Sequence, residues 1–237
     1  MNKELRTVVI TGASRGIGAA IVERFASDGA RIFACALHAG RLEDVVAGWR
    51  KKFPQSEFHA YAADLGTKQG AESFAQWVAG QATPDILVNN AGNFQPGSIL
   101  GEEDGSLEQM LSVNLMSAYQ ITRILVPLMI KKGCGHIFNM CSIASLRAYP
   151  AGGSYGIAKY ALAGLSENLR EELKGKNVKV TAVYPGAVHT ESWGDFDNSN
   201  NRIMVAADIA EMIFSAASLS KGAVVESIVL RPQLGDL

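Results

Sequence analysis

Tyr155 and Lys159 are the side chains in this sequence whose types and spacing most directly suggest acid/base chemistry. They stand one helical turn apart in a segment of helical period, so both fall on the same face. A free phenol has a pKa of about 10, and an ammonium beside it in a partly dry site lowers that pKa. The pair is therefore a candidate proton donor. Taken alone, the same spacing is also typical of a core tyrosine next to a solvated lysine.

A glycine-rich turn suggests a second kind of chemistry. Residues 11–18 read Thr-Gly-Ala-Ser-Arg-Gly-Ile-Gly and stand between a short apolar run and a helical segment. Glycines allow a tight turn and close backbone approach, while the helix N-terminus offers unpaired N–H groups and a positive dipole end to a pyrophosphate. The turn therefore predicts a dinucleotide site that includes Gly12, Ser14, Arg15, Gly16, Ile17 and Gly18.

Short apolar runs alternate with longer helical segments along the chain. The sequence predicts strands at 7–10, 32–37, 58–62, 86–89, 136–140, 179–184 and 224–230. It predicts helices at 16–27, 41–52, 68–80, 107–131, 153–174 and 206–217. Strands that are apolar throughout lie between two helix layers, and regular alternation implies parallel pairing. We expect one α/β domain over residues 1–237, with a Rossmann-type doubly wound parallel sheet of seven strands flanked by helices on both faces.

The segment 186–202 has no clear period and is rich in Asn, Asp and Ser. Ligands of a doubly wound sheet bind beyond the carboxyl ends of its strands, so we expect this segment, extended to about residue 205, to form a substrate lid. The loops 93–101 and 146–152 would complete the substrate pocket. An apolar or stacking wall is expected from aromatic residues of these segments, which would otherwise anchor the loops to the core: Phe94, Tyr149 and Trp193.

Further motifs follow the glycine turn in order along the chain. They are Asp64-Leu65 after the third strand, Asn89-Asn90-Ala91-Gly92 at the end of the fourth, Asn114 in a helix, Ser142 after the fifth strand, Tyr155 with Lys159 in the next helix, and Pro185-Gly186-Ala187-Val188-His189-Thr190 after the sixth strand. Together with the spacing Gly-x-x-x-Gly-x-Gly, this order resembles the short-chain dehydrogenase/reductase family over essentially the whole chain.

The resemblance implies hydride transfer between a nicotinamide cofactor and a carbonyl or alcohol substrate. Tyr155 would protonate the alkoxide as it forms, and Lys159 would lower the pKa of Tyr155 and bind the nicotinamide ribose. Ser142 would hold and polarise the substrate oxygen, and its distance from Tyr155 is the one usual in the family, although Ser145 is a nearby competitor. Asn114 would bind a water that connects Lys159 to solvent.

The resemblance also implies which residues hold the cofactor. Asp64 would contact the adenine ring, and Thr190 with the backbone of Val188 would clamp the nicotinamide carboxamide. The other expected contacts, besides those of the glycine turn and the Tyr155–Lys159 pair, are Leu37, His38, Leu65, Asn90, Ala91, Gly92, Pro185 and Gly186.

The end of the second predicted strand bears on the choice between NADP(H) and NAD(H). A carboxylate there would bond the ribose hydroxyls of NAD, but Leu37 and His38 follow the strand and no acid occurs before Glu43. Arg15 matches the basic residue of NADP-dependent family members, and His38 and Arg41 could add positive charge. Solvated surface side chains are the alternative, and Leu37 replaces the arginine of many NADP-dependent relatives. NADP(H) is favoured over NAD(H).

The substrate is less closely defined. Residues 186–194 and 224–237 look like those of bacterial sepiapterin-reductase-like members of the family. A pterin side-chain ketone or a vicinal dicarbonyl is therefore the substrate hypothesis. A 3-oxoacyl-thioester reductase of acyl-carrier-protein type is the alternative, because it shares the glycine turn. A non-catalytic NADP(H)-binding sensor is a rival of another class, and the presence of all four catalytic residues disfavours it.

Composition excludes other classes of function. Lys and Arg total 22 against 23 Asp and Glu, and a net charge of −1 argues against a nucleic-acid partner. The apolar stretch 124–130 is far too short to span a membrane. Three cysteines without ligand spacing predict no metal and a cytoplasmic protein, and His59, His136 and His189 are expected to be structural. The resemblance alone implies a homodimer or homotetramer paired through the two longest helices.

Overall fold

The apolar segments of the sequence pair as parallel strands. The computed structural model describes residues 5–236, in which the strands of the main sheet follow the order β3-β2-β1-β4-β5-β6-β9 and every neighbouring pair is parallel. Those strands are β1 Thr7–Thr11, β2 Arg31–Ala36, β3 Glu57–Ala62, β4 Ile86–Asn89, β5 Gly135–Met140, β6 Val178–Pro185 and β9 Ser227–Leu230. A separate parallel pair consists of β7 Val188–His189 and β8 Met204–Val205. The predicted seven-stranded parallel sheet is confirmed.

Helices cover both faces of this sheet. They are α1 Gly16–Ser27, α2 Ala39–Lys52, α3 Lys68–Ala79, α4 Ser106–Leu111, α5 Ser117–Lys132, α6 Gly153–Leu173 and α7 Ala206–Ala217. Val8 and Ile10 of β1 pack in the core that contains α1, α2 and α7, while Val9 packs in the core that contains α3 and α5. All three side chains are buried, so the strand reads as an unbroken apolar run.

The helix predicted over 107–131 is interrupted in the structure. A π-helical turn, Ser112–Met116, separates α4 from α5, and Asn114 lies buried at its centre. The side chain of Asn114 donates to the carbonyl of Met110, which is the acceptor that an α-helix would give to the backbone N–H of residue 114. Turns of this kind occur frequently at functional sites.

The same helical stretch, Ser106–Lys132, has the length and apolar composition of a membrane-spanning helix. Half of the most apolar part of this stretch is buried, however, and Ile121, Leu125 and Met129 are fully buried in the core beneath the sheet. This stretch is a core helix of the folded chain.

Several element boundaries differ from the sequence prediction, and one predicted loop has structure of its own. The strand predicted over 224–230 is shorter, because β9 begins at Ser227. Leu37 lies outside β2 and is 58% exposed, since the strand ends at Ala36. The segment 186–205 also has local structure, because β7 and β8 pair within it and Glu191–Trp193 forms a 3-10 turn.

His136 of β5 is buried and forms a hydrogen bond with a side chain of β6. Its Nε2 atom lies 2.7 Å from the hydroxyl of Thr181, which itself donates to the carbonyl of Val225. Because that hydroxyl has one proton, His136 is the donor through Nε2–H. Burial lowers the pKa of His136 to about 3, with a smaller contribution from the charge of Lys179.

His136 should therefore make stability depend on pH. The unfolded chain takes up a proton at His136 below about pH 6.5, whereas the folded chain does not do so until about pH 3, so stability falls as the pH drops through this window. Between about pH 7.5 and pH 5 we expect a loss of about 2 kcal/mol that the His136→Gln variant does not show. Urea unfolding of both proteins at the two pH values measures the difference. Equal losses in the two proteins would contradict this assignment.

Candidate active site

A cleft of about 710 Å³ opens beyond the carboxyl ends of β4, β5 and β6. The chain crosses from β3 to β4 on the far side of β1, and ligands of such sheets bind at this change of direction. The cleft brings together all four predicted catalytic side chains and the three predicted aromatic ones. Its lining includes Asn114, Ser142, Tyr155, Lys159, Phe94, Tyr149 and Trp193.

The predicted cofactor residues divide into two groups. Those that line the cleft are Ile17, Asn90, Gly92, Pro185, Gly186, Val188 and Thr190, besides Tyr155 and Lys159. Those that lie outside its lining are Gly12, Ser14, Arg15, Gly16, Gly18, Leu37, His38, Asp64, Leu65 and Ala91. A larger hollow, about 1040 Å³, lies at the amino ends of β4, β5 and β6, and its lining contains none of the predicted site residues.

Tyr155 lies in the first turn of α6, in the wall of the cleft. Burial raises its pKa to about 12, a hydrogen bond with the hydroxyl of Ser142 opposes this, and Tyr149 and Cys141 raise it further. The pKa of Tyr155 therefore lies above its ordinary value and not below it, as the pairing with Lys159 had predicted, because desolvation of the phenol outweighs the hydrogen bond with Ser142. Tyr155 is therefore protonated at neutral pH and can donate a proton.

Lys159 is buried one helical turn further along α6. Its ammonium donates to the carbonyl of Met140, at the end of β5, at 2.8 Å. The ammonium lies 5.7 Å from the centroid of the Tyr155 ring. Burial lowers the pKa of Lys159 to about 8, so the group is mostly charged at neutral pH.

The turn after β5 distinguishes Ser142 from its competitor Ser145. The hydroxyl of Ser145 is buried, accepts the backbone N–H of Ser142 at 3.2 Å, and donates its proton to the carbonyl of Lys159 at 2.8 Å. The hydroxyl of Ser142 accepts the N–H of Ala144 and bonds Tyr155. Ser142 is thus the serine whose hydroxyl faces the reactive phenol, whereas Ser145 joins the turn to α6.

Asn114 and Lys159 approach each other beside Gly92. The amide nitrogen of Asn114 donates to the carbonyls of Asn93 and Met110, at 3.0 and 3.1 Å. Its buried Oδ1 atom has no hydrogen-bond partner among the described residues. A Cβ atom on Gly92 would lie 2.7 Å from this Oδ1 and 3.4 Å from the Nζ atom of Lys159. Glycine is required here, and the free acceptor and the ammonium share this corner of the cleft.

The glycine turn is fixed to the end of β4. Asn90 donates through its amide to the carbonyls of Thr11 and Gly12, and a Cβ on Gly18 would lie 2.1 Å from the carbonyl oxygen of Gly12. Gly12 and Gly16 both have positive φ, at 64° and 54°, which favours glycine. Among the described residues, the N-cap residue Arg15 makes no side-chain capping hydrogen bond to α1, so the first N–H groups of this helix can bind an anion. These residues fit the pyrophosphate of a dinucleotide.

The residues predicted to contact the adenosine part of a cofactor differ in their exposure. Asp64 is exposed and accepts the N–H of Gly66, whereas the side chain of Leu65 is buried in the core beneath the sheet. His38 is exposed just before α2. Arg15 and Arg41 both contact the carboxylate of Glu191, a residue that the sequence did not point to.

A wall of the substrate side is built by the C-terminal segment, whose role the sequence did not predict. Asp236 lines the cleft, and its carboxylate bonds Arg147 at 2.9 Å and also Arg231. Arg202 donates to the carbonyls of Gly235 and Asp236. The contacts of Arg147 and Arg202 join residues far apart in the chain, so no local pattern could have revealed them.

Glu102 is another residue that sequence reasoning missed. Its carboxylate accepts the N–H of Ser154 at 2.8 Å and also bonds the Ser154 hydroxyl, at the start of α6. These two bonds lower the pKa of Glu102. A carboxylate at a helix N-terminus is favourable, so Glu102 fixes the start of the helix that carries Tyr155.

Comparisons with known proteins agree with this arrangement. The sequence model of the family described as short chain dehydrogenase matches residues 6–201. The chain is 29% identical to sepiapterin reductase of Chlorobaculum tepidum over 239 residues, covering 97% of each protein. It is 32% identical to serine 3-dehydrogenase of Agrobacterium fabrum over 240 residues, covering 95% of this chain and 93% of that one.

A solved structure agrees as well. L-sorbose reductase from Gluconobacter frateurii, complexed with NADPH and L-sorbose, superimposes with a TM-score of 0.88 at 26% identity, covering 95% of both chains. The family match spans the glycine turn, the Asn-Asn-Ala-Gly motif and the Tyr155–Lys159 pair, all of which the structure arranges along one edge of the sheet. The chain belongs to the short-chain dehydrogenase family, whose members are oxidoreductases that act on alcohol and carbonyl groups.

Proposed function

We propose that this chain is an NADP(H)-dependent reductase of small carbonyl compounds and a dehydrogenase of the corresponding alcohols. The observation that carries this proposal is the meeting of Ser142 and Tyr155 in the cleft, with Lys159 one turn behind them. A bound nicotinamide would supply or accept the hydride. The side chains of this protein then have to hold the carbonyl oxygen and deliver a proton to it.

Each polar side chain of the cleft has a distinct part in this proposal. Tyr155 donates the proton to the forming alkoxide, since its phenol stays protonated at neutral pH. Ser142 donates a hydrogen bond to the same oxygen and holds it in place. The Lys159 ammonium binds the nicotinamide ribose, and the free Oδ1 of Asn114 accepts a water through which the proton is replaced.

Contacts outside the cleft lining, around the glycine turn and the end of β2, support NADP(H) over NAD(H). No carboxylate follows β2, where Leu37 and His38 are both exposed. Arg15 and Arg41 converge on one carboxylate, so the two guanidinium groups can share an anion at this edge. The similar structure of L-sorbose reductase holds NADPH.

The walls of the cleft support a small carbonyl substrate with a flat or apolar part. Phe94 packs edge-on against Tyr155 with the ring centroids 4.9 Å apart, and Tyr149 and Trp193 complete the apolar side. Arg147 and Asp236 form a polar rim opposite. A pterin side-chain ketone or a vicinal dicarbonyl suits this combination, and the similarity to a sepiapterin reductase supports it.

We also propose that the segment 186–205 is a lid and that the chain forms a homodimer or homotetramer. Residues 186–205 begin at the cleft and end where α7 starts, which suits a lid over the substrate. Met116, Tyr119, Ile157 and Tyr160 are large apolar side chains exposed near or on α5 and α6, as a homodimer or homotetramer interface would require. Light scattering at micromolar concentration tests the oligomer, and a monomer would refute it.

Cofactor absorbance gives the direct test of the activity. NADPH and NADH are followed in parallel with diketones, sepiapterin, an acetoacetyl thioester and simple aldehydes. We expect consumption of NADPH with sepiapterin or the diketones. Turnover confined to the thioester would transfer the assignment to an acyl-thioester reductase. Tight NADPH binding with no turnover of any compound would favour the sensor.

The Tyr155→Phe variant should lose at least about 99% of turnover, because general acid catalysis contributes about 10²-fold or more. NADPH affinity should change less than about threefold, since the ring and the Lys159 contact remain. Kinetics with the best substrate and NADPH fluorescence titration measure the two quantities. A variant that retains more than about a tenth of the wild-type rate would show that another group donates the proton.

Ser142→Ala and Ser145→Ala form a matched pair. We expect Ser142→Ala to lose about 10²-fold in turnover, because it removes the donor that faces the reacting oxygen. Ser145→Ala should instead lose about 1–3 kcal/mol of stability, because it leaves the buried N–H of Ser142 without its acceptor. Steady-state kinetics and urea unfolding separate these effects. A larger loss of turnover in Ser145→Ala would reverse the two roles.

The reduction rate should fall as the pH rises through about 8. Lys159 is charged below this pKa and neutral above it, whereas Tyr155 remains protonated up to about pH 12. The charged form is the one that binds ribose and supports the proton route, so activity is present below the pKa of Lys159 and is lost above it. The pH profile of kcat/KM with NADPH measures this change. A flat profile to about pH 10, with the fold intact by circular dichroism, would contradict it.

A further inference from the structure

Glu191 places a carboxylate between two arginines that lie far from it in sequence. Its Oε2 atom is 2.9 Å from Nη1 of Arg41 and 3.5 Å from Nη1 of Arg15. Arg15 belongs to the glycine turn, Arg41 belongs to α2, and Glu191 opens the 3-10 turn of the segment 186–205. Within the described part of the chain, neither arginine forms another ion pair.

The packing of Thr190 holds the neighbouring Glu191 close to the glycine turn. A Cβ on Gly16 would lie 3.2 Å from Cγ2 of Thr190, so the side chain of Thr190, the residue just before Glu191, packs closely on the glycine turn. Arg15 immediately precedes α1, whose uncapped N-terminus attracts negative charge. Glu191 therefore occupies a region that favours an anion, although it belongs to the segment 186–205 and not to the glycine turn.

We propose that Glu191 competes with the 2′-phosphate of NADP(H) for Arg15 and Arg41, and so sets how strongly the chain prefers NADP(H) to NAD(H). This inference rests on the proposed cofactor. The two arginines cannot give their facing N–H groups to Glu191 and to a phosphate at once, and the two anions repel each other. Binding of the phosphate to these Nη1 groups thus requires the carboxylate to give them up. NAD(H) has no phosphate at this position and meets no such requirement.

The size of the effect follows from the exposure of the three side chains. All three are about half exposed, and exposed ion pairs each contribute at most about 1 kcal/mol. Neutralising Glu191 should therefore tighten binding of a 2′-phosphate on the order of fivefold. Binding of a nucleotide without that phosphate should change less than about twofold.

Two commercial nucleotides isolate the 2′-phosphate without any turnover. Adenosine 2′,5′-bisphosphate and adenosine 5′-monophosphate differ only in this group, and calorimetry gives the Kd of each. The proteins compared are the wild type, Glu191→Gln and Asp195→Asn. Asp195 lies in the same segment and forms no ion pair with Arg15 or Arg41 among the described residues, so its variant controls for the loss of one negative charge.

We expect Glu191→Gln, and not Asp195→Asn, to bind the bisphosphate about fivefold more tightly than the wild type. Equal effects of the two substitutions, or weaker binding by Glu191→Gln, would overturn the role of Glu191. If the wild type still prefers the bisphosphate in that case, the NADP(H) assignment stands. If neither the wild type nor Glu191→Gln distinguishes the nucleotides, both the assignment and the inference fail.

A double-substitution cycle tests the route of the effect. In an Arg41→Gln background, Glu191 has lost its closer partner, so Glu191→Gln should improve bisphosphate binding by less than about twofold. An undiminished fivefold gain in this background would show that Glu191 acts through general repulsion and would overturn competition for the arginines.

Discussion

A buried ammonium is the constraint on which the cleft depends. Lys159 is buried in α6 with 5% of its surface exposed, and removing a charge from water costs several kcal/mol unless the surroundings compensate. The carbonyl of Met140 supplies one acceptor, and the free Oδ1 of Asn114 lies across the narrow space left by Gly92. The position of α6, the end of β5 and the π-helical turn all serve to place these groups. The same desolvation keeps Tyr155 protonated.

The end of β4 and the glycine turn approach each other closely, and this contact connects the surroundings of Lys159 to the predicted pyrophosphate site. Asn90 holds the glycine turn from the end of β4, and Gly18 lets the first turn of α1 approach the carbonyl of Gly12. The turn therefore presents the free N–H groups of α1 along the edge where Lys159 lies. Thr190 packs on the other side of the turn, so the segment 186–205 is tied to the same point. One end of the sheet thus positions both the anion-binding and the proton-donating groups.

Local sequence patterns predicted much of the fold. They did not predict the contacts between residues far apart in the chain. The parallel sheet follows from apolar runs such as Val8–Ile10, which are buried on both faces, and the four candidate catalytic residues follow from ordered motifs. The break at Asn114 depends on a side-chain bond to the backbone that periodicity does not reveal. The pKa of Tyr155 depends mainly on burial of the phenol, which the helical spacing of Tyr155 and Lys159 does not reveal. Glu102, Glu191 and Asp236 reach the site across large sequence separations and left no local signal.

The state of Lys159 is the most direct test of this account. Protein labelled at the lysine Cε carbon with ¹³C is titrated by NMR, and the Lys159 signal is assigned by its absence from Lys159→Met. We expect a pKa of about 8 for Lys159, well below the ordinary value of 10.5. Titration near 10.5, as for an exposed lysine, would show that the ammonium is solvated. The buried charge would then not organise the cleft.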